Sequence, residues 1–581
     1  MVEQQSSNRN IIIMALAALL FAVVAVGIVL FFVLSGDGDS SKGAQAAESA
    51  KLMPVDSFMF MAFNPHLDQA ANYTVIEKTW GENEMIQEGL DELLNSMQQE
   101  GLDYKTDIEP WIGDDMAFSM GDLTALMQQQ IDPSVLDVTK APSEIPEMLF
   151  AMATQDQAAS DKFLDDMRAE IEESGTAMQE TEYQGVKIVY YEPEYEGEPG
   201  VAYATVEGYV VLAVGGVEPL KKTIDASQGE ANLANSENYQ DILAELPKDQ
   251  VGYGYMDMGA YMKALMAAAE SELAELPPEV LNQQQLEGVK SAGFSFGFEP
   301  NGMRMDFTTT FDPEALSEMS IETQANDNKA LNHVPADTLL YLSGSGMGNV
   351  IQGMLDVVKA MPDQPEDLDE QIEMLTGLLG VSMEELVEML SGEFAMAFMH
   401  DPAGLAGDPS MPIGMSMLIE AEDQEKFQKV IRSLSSLIAM GGEMELPQET
   451  INDVEVTMLT DPSTGEPMFG WGVGDEFFAL GSNKALLKAA FGGSENALAD
   501  DETFKAATSI LPTKNTGYFY LNMGGLMNIV YESLSPREQE EFDRTARTMF
   551  EPIRAMAGTG EPLSRDEGVS TGTLFILIEE E

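Results

Sequence analysis

Gly293-Phe-Ser295-Phe-Gly297 spells G-x-S-x-G, the spacing that places a nucleophilic serine on a sharp turn between a strand and a helix. Its surroundings argue otherwise. Phe294, Phe296 and Phe298 alternate with small residues and run into Glu299-Pro-Asn-Gly302 and a further apolar stretch, so the segment reads as a packed strand. The three histidines, His66, His333 and His400, lie in separate segments and form no H-E-x-x-H or other close ligand pair. No spacing in the sequence supports a Ser-His-Asp triad either. Methionines recur at i, i+2 in Met59/Met61, Met256/Met258, Met303/Met305 and Met415/Met417, which sets paired thioethers on one strand face. Thioethers suit Cu(I), but Met is spread along the chain and stands in for Leu, so core or groove lining is the expected role.

Gly36-Asp37-Gly-Asp39-Ser has too few of the ligands of a calcium loop and reads as linker. No G-x-x-x-x-G-K-[ST] phosphate loop is present. Gly344-Ser-Gly346-Met-Gly348 follows a strand and opens a helix, where backbone N–H groups could meet an anion. The matching Asn64-Pro-His-Leu lacks the glycines, so a flexible turn is expected. Carboxylates are so numerous that no acid/base pair stands out. These residue types yield no catalytic, cofactor-binding or metal-binding site, and no cofactor is expected.

The chain of 581 residues holds 100 Asp plus Glu against 29 Lys plus Arg, for a formal charge of -71. That field repels phosphates, so nucleic acid is not an expected partner. The absence of Cys removes disulfides, thiol nucleophiles and thiolate metal sites. Hydrophobic residues make up 44%, enough for sizeable cores. The acidity implies a hydrated, salt-tolerant surface.

Residues Ile11 to Leu34 form an uncharged apolar run, long enough as a helix to cross a hydrocarbon core of about 30 Å. One transmembrane helix is expected, too long for a cleaved signal peptide, whose apolar region has only about 7–15 residues. Ala44-Gln-Ala46 resembles a cleavage site but lies well past the run. Arg9 before it and Asp37 and Asp39 after it place the N-terminus in the cytoplasm and the bulk of the chain outside. The expected organisation is a tail at 1–10, the span at 11–34, a flexible linker at 35–51, a repeat at 52–312, a linker at 313–330 and a second repeat at 331–581.

The repeats rest on matches that keep their order. Pro54-Val-Asp-Ser57 recurs as Pro335-Ala-Asp-Thr338, and Gly113-Asp-Asp-Met-Ala-Phe118 as Gly392-Glu-Phe-Ala-Met-Ala-Phe398. Asp161-Lys-Phe163 recurs as Glu425-Lys-Phe427, and Gly252-Tyr-Gly-Tyr-Met-Asp-Met-Gly259 as Gly517-Tyr-Phe-Tyr-Leu-Asn-Met-Gly524. Glu287-Gly-Val289 is matched to Glu567-Gly-Val569. The spacing places an insertion in the first copy near 123–143 and extra residues in the second near 535–565. On that alignment the second sheet lacks its last strand, or has that edge covered by something else.

Alternation marks strands at 338–342, 394–399, 414–419, 454–459, 468–473, 477–480 and 518–523, and helical spacing marks 347–361, 383–390, 424–440, 484–491 and 503–511. Gly474-Asp475 and Glu207-Gly208 are hairpin signals. The expected fold is α+β, with mainly antiparallel sheets and packed helices in two tandem domains.

Glu109-Pro-Trp111-Ile-Gly113-Asp-Asp-Met-Ala-Phe118 and Tyr203-Ala-Thr-Val-Glu-Gly208-Tyr-Val-Val-Leu-Ala213 carry a likeness. Through them the chain resembles a bacterial family of membrane-anchored proteins known as domain of unknown function number 3352. The resemblance covers most of 52–581, is stronger in the first copy, and implies an extracytoplasmic protein of the cell envelope on one N-terminal helix. It implies no catalytic residues. The expected function is a non-enzymatic binding or scaffold module with a protein or envelope partner. A carrier for a lipid or small hydrophobe is the alternative, with Tyr253/Tyr255 and Tyr518/Tyr520 as groove lining. A carboxylate-metal hydrolase comes third.

Overall fold

The computed structural model describes residues 47–579 except 68–69, 82, 100–101, 123, 125–145, 174, 194–199, 230, 249, 269–287, 319–323, 361–367, 406–410, 443–445, 461–466 and 564–567. The expected tail, membrane span and most of the linker at 35–51 lie outside the described residues, as does most of the insertion at 123–143. Among the described residues no helix is long and apolar enough to cross a membrane. The chain divides into two compact units, residues up to 275 with 286–312, and 276–285 with 313–579.

The first unit carries β1 (Met59–Phe63), β2 (Ile112–Met120), β3 (Met148–Thr154), β4 (Gln179–Tyr183), β5 (Val186–Tyr191), β6 (Val201–Val206), β7 (Tyr209–Val214), β8 (Gly252–Asp257), β9 (Val289–Glu299) and β10 (Gly302–Phe311). They form one antiparallel sheet in the order β4-β5-β6-β7-β3-β2-β1-β8-β9-β10. Two-residue turns close two of its hairpins. Gln184-Gly185 and Glu207-Gly208 have φ of 49°, 85°, 47° and 82°, the positive pairs that match the twist of the flanking strands.

The second unit carries β11 (Thr338–Ser345), β12 (Glu393–His400), β13 (Ile413–Glu420), β14 (Gln448–Ile451), β15 (Val454–Thr460), β16 (Pro467–Val473), β17 (Phe477–Gly481), β18 (Tyr518–Asn522), β19 (Ile553–Gly560) and β20 (Val569–Ile578). Its order is β14-β15-β16-β17-β13-β12-β11-β18-β19-β20, again antiparallel throughout. Both units are therefore α+β, as the alternation predicts. The expected missing strand is present. β19 takes the place of β9 and β20 that of β10, so the match of Glu287 to Glu567 is a misalignment. The extra residues expected near 535–565 are helices Pro536–Phe542 and Thr548–Phe550 and the strand β19.

Each sheet hides its two faces differently. On one face of the first unit, Ala62, Ala117, Ala151, Ala202 and Ala213 keep the strands low, so helices Val217–Gln228 and Glu237–Glu245 come close and bury Leu220, Ile224, Tyr239 and Ile242 completely or nearly so. The same face of the second unit is lined by Ala395, Ala397, Ala479, Ala555 and Ala557 beneath helices Lys484–Gly492 and Glu502–Thr508. On the opposite face, helix Gln157–Glu173 seals Trp111, Met152, Tyr203 and Val210, and helix Gln424–Gly442 seals Ile419, Trp471 and Phe478.

A carboxylate, half-buried in the first unit and buried in the second, pins the entry segment of each. In the first, Asp115 accepts from the Ser49 N–H and hydroxyl, both at 2.9 Å, and from the Tyr209 hydroxyl at 2.8 Å. Ser49 sits in the short helix Glu48–Lys51, whose neighbours Leu52 and Met53 complete the core. In the second, Glu393 accepts from the Lys329 and Ala330 N–H groups at 2.9 Å each, at the start of helix Lys329–Asn332. Glu393 is only 3% exposed. Burial raises both carboxyls above their ordinary values, and the donors oppose the rise.

Asp115→Ala leaves three donors unpaired and should cost the first unit about 2–4 kcal/mol. Calorimetry should show one unfolding transition lowered and the other unmoved. A second expectation concerns pH. A raised folded-state value means the folded carboxyl keeps its proton where the unfolded one has lost it, so this contribution to stability falls as pH rises through the ordinary values of 3.8 and 4.5 toward the raised ones. Repulsion within the acidic chain changes with pH alike in wild type and variant. The stability of Asp115→Asn with Glu393→Gln, relative to wild type, should therefore rise between pH 4 and 7 in urea titrations.

Candidate functional site

The long helix of each unit packs over one part of the outer face. Beyond it, in the first unit, β1, β2, β8, β9 and β10 present Met59, Met61, Phe118, Met120, Met256, Phe294, Phe296, Met303 and Met305, all half-buried, and Phe307, 43% exposed. Strand alternation puts Phe60, Ala62, Tyr253 and Tyr255 on the other, closed face. In the second unit Leu340, Leu342, Met396, Phe398, Met415, Phe519, Leu521, Met556 and Ile576 form the corresponding half-buried surface. Helix Met523–Ser533 is rich in Leu, Met, Ile and Val yet has no buried residue, and helix Pro536–Phe542 has none either. Large apolar side chains left only partly buried in this way form a surface that is not packed to interior density.

The local sequence shapes this surface. Gly252 and Gly254 on β8 stand opposite Phe296 and Phe294 on β9, and a Cβ at either glycine would lie 2.5 or 2.3 Å from the facing ring. Each phenyl therefore lies across bare backbone. Gly344 receives Phe394 in the same way, with 2.9 Å between a Cβ and the ring. The result is a low floor of rings and thioethers with few polar atoms.

The other sequence candidates disperse. Ser295 is 1% exposed in the middle of β9, as the strand reading requires. His66 Nε2 lies 3.4 Å from the Ile112 carbonyl, His333 bridges the Ala490 carbonyl at 2.8 Å and Glu476 at 3.2 Å, and His400 is exposed at the end of β12. Among the described residues no three His, Asp or Glu side chains could share a metal ion. The glycines at 344–348 do not cradle an anion. Gly346 and Gly348 N–H groups donate to the Ser391 and Leu390 carbonyls at 2.9 Å each, and a Cβ on Gly348 would meet the Val387 carbonyl at 2.1 Å. That glycine lets helix Met347–Ala360 touch helix Met383–Met389.

The tyrosines expected to line a groove do not. Tyr253, Tyr255 and Tyr520 are 1%, 3% and 0% exposed in the closed cores, and Tyr518 packs half-buried against the second of them, because they occupy the strand positions that face the close-packed helices. Tyr253 accepts from the Ala47 N–H at 3.0 Å and lies 2.5 Å from the Tyr239 hydroxyl. Burial pushes the Tyr253 hydroxyl up to about 12, so it is not a base near neutral pH. The groove surface lies on the opposite face of the same strands. Its signal was the Met pairs at i, i+2, four of whose first-unit members, Met59, Met61, Met303 and Met305, belong to it together with Met256.

A family model described as "Protein of unknown function (DUF3352)" matches residues 13–578. The chain belongs to the DUF3352 family. No curated protein matches it. Among solved structures, crystal forms III, IV and I of TP0453 are similar to this DUF3352 chain with TM-scores of 0.21, 0.23 and 0.22, each at 9% identity. They cover 46% of this chain and 81%, 81% and 79% of their own. Superpositions that loose do not establish a shared fold.

Proposed function

We propose that this DUF3352 chain is a membrane-tethered, non-enzymatic binding protein of the cell envelope, whose half-covered apolar faces take up a lipid or other small hydrophobe. The observation that carries the reading is the floor of Met and Phe side chains left half-exposed in each unit, while the opposite face of the same sheet is closed. Thioethers adapt to occupants of varied shape, and rings laid over glycine give a smooth contact surface. The two units arose by duplication of one domain. Identical strand order and a carboxylate on the corresponding strand that holds each entry segment, Asp115 on β2 and Glu393 on β12, support that descent. The uncharged run at 11–34 supports a single anchor with a cytoplasmic N-terminus and the units outside.

A second reading has its own observation. Met374, Leu375 and Leu378 are 65%, 52% and 51% exposed along helix Leu368–Leu379, a stripe suited to a protein partner.

Native mass spectrometry of residues 40–581, released from their own membrane at a protease site placed in the linker, tests the carrier reading. The expected result is a stoichiometric added mass in the lipid range, lost in Met61→Glu with Leu342→Glu. A bare chain overturns the carrier reading. For the topology, protease added to intact spheroplasts should digest the two units while a cytoplasmic control survives; protection of both places the units inside.

A further inference from the structure

The register of the first unit assembles residues that lie far apart in sequence. Met148 stands opposite Met120, Met120 opposite Met59, and Met59 opposite Met256. Four methionines thus form one row across β3, β2, β1 and β8, on neighbouring strands about 4.8 Å apart. All four are half-buried. They share one face, since directly opposed residues of an antiparallel pair project to the same side.

The second unit provides the comparison. Following the same pairings there gives Met415, Phe398, Leu340 and Leu521. Phe and Leu meet the demands of shape and apolarity at these positions, so a row of four methionines goes beyond what packing asks. What the first unit adds to the single thioether of Met415 is three more sulfurs, four in one row. Each sits on a side chain with three rotatable bonds, so sulfurs from adjacent strands can converge on one point. A neutral, soft, partly dehydrated donor set of this kind discriminates against the hard cations that the acidic surface attracts.

We propose that Met120, Met59 and Met256, with Met148 beside them, bind a soft monovalent metal ion, Cu(I) in its native form and Ag(I) as its surrogate. No proton leaves a thioether when it binds a metal, so affinity is insensitive to pH where His or carboxylate sites lose it in acid. The proposal goes beyond uptake of a hydrophobe and does not require it.

The test titrates the full chain in mild detergent with Ag(I), under excess calcium to occupy the carboxylates, and counts bound silver by native mass spectrometry at pH 5 and pH 8. One silver ion per chain is expected at both. Replacing the row by Met59→Leu, Met120→Phe and Met256→Leu, which copies the second unit, should weaken that binding at least tenfold, while Met415→Leu leaves it unchanged. Equal binding by the triple variant, or silver spread over many sites without a preferred one, overturns the proposal. X-ray absorption on the Cu(I)-loaded wild-type chain does not depend on any variant's folding: a first shell of sulfur supports the site, and a shell of nitrogen or oxygen overturns it.

Discussion

A carboxylate drawn into the fold must find donors, and in each unit it finds them in the segment through which the chain enters. Asp115 takes the backbone and hydroxyl of Ser49; Glu393 takes two successive N–H groups at Lys329 and Ala330. The segments so held are not ornaments on a finished fold. Ala50, Leu52 and Met53 are at most 2% exposed, and Ala330 and Val334 at most 1%, so the closed core of each unit is complete only when its entry segment is seated. The rest of the closed face depends on that seating, because the helices that follow pack against the same residues.

With one face finished in this way, the sheet has a second face to hide and less material with which to hide it. Alanine on the closed side lets helices approach to contact. The other side carries Met, Phe and Leu, whose bulk holds a covering helix off. Where a long amphipathic helix lies over that side, Trp111 and Trp471 fill the gap and the layer is sealed. The shorter apolar helix Met523–Ser533, by contrast, buries none of its residues. The difference between core and half-buried surface is thus written in the choice of side chain on alternate positions of the same strands.

Much of this was legible in the sequence. Helices at 347–360, 383–389 and 484–492 fall within a residue or two of their periodicity, and strands with large alternating residues were found. Two strands escaped for different reasons. Gln448–Ile451 is a polar edge strand with little to alternate, and Ile553–Gly560 buries Ala555 and Ala557, residues too small to register as an apolar stripe. Missing the second of these turned a short match at Glu567 into an absent strand. The clasping carboxylates could not be told from the other acidic residues, since nothing local marks a buried one. The methionine row needed pairing: i, i+2 spacing reveals neighbours along a strand, and only register reveals neighbours across strands.

The position of β1 bears on how the molecule is made. It lies inside the sheet, flanked by β2 and by β8, and Ala47 donates to Tyr253 across a sequence separation of 206 residues. During synthesis the first strand therefore waits with one side unpaired while the chain lengthens to β8. At ribosomal speeds that interval is about 10–40 s. Throughout it, an edge flanked by Met59, Met61 and Phe63 stays open to pairing with other chains, an exposure that ends when β8 arrives.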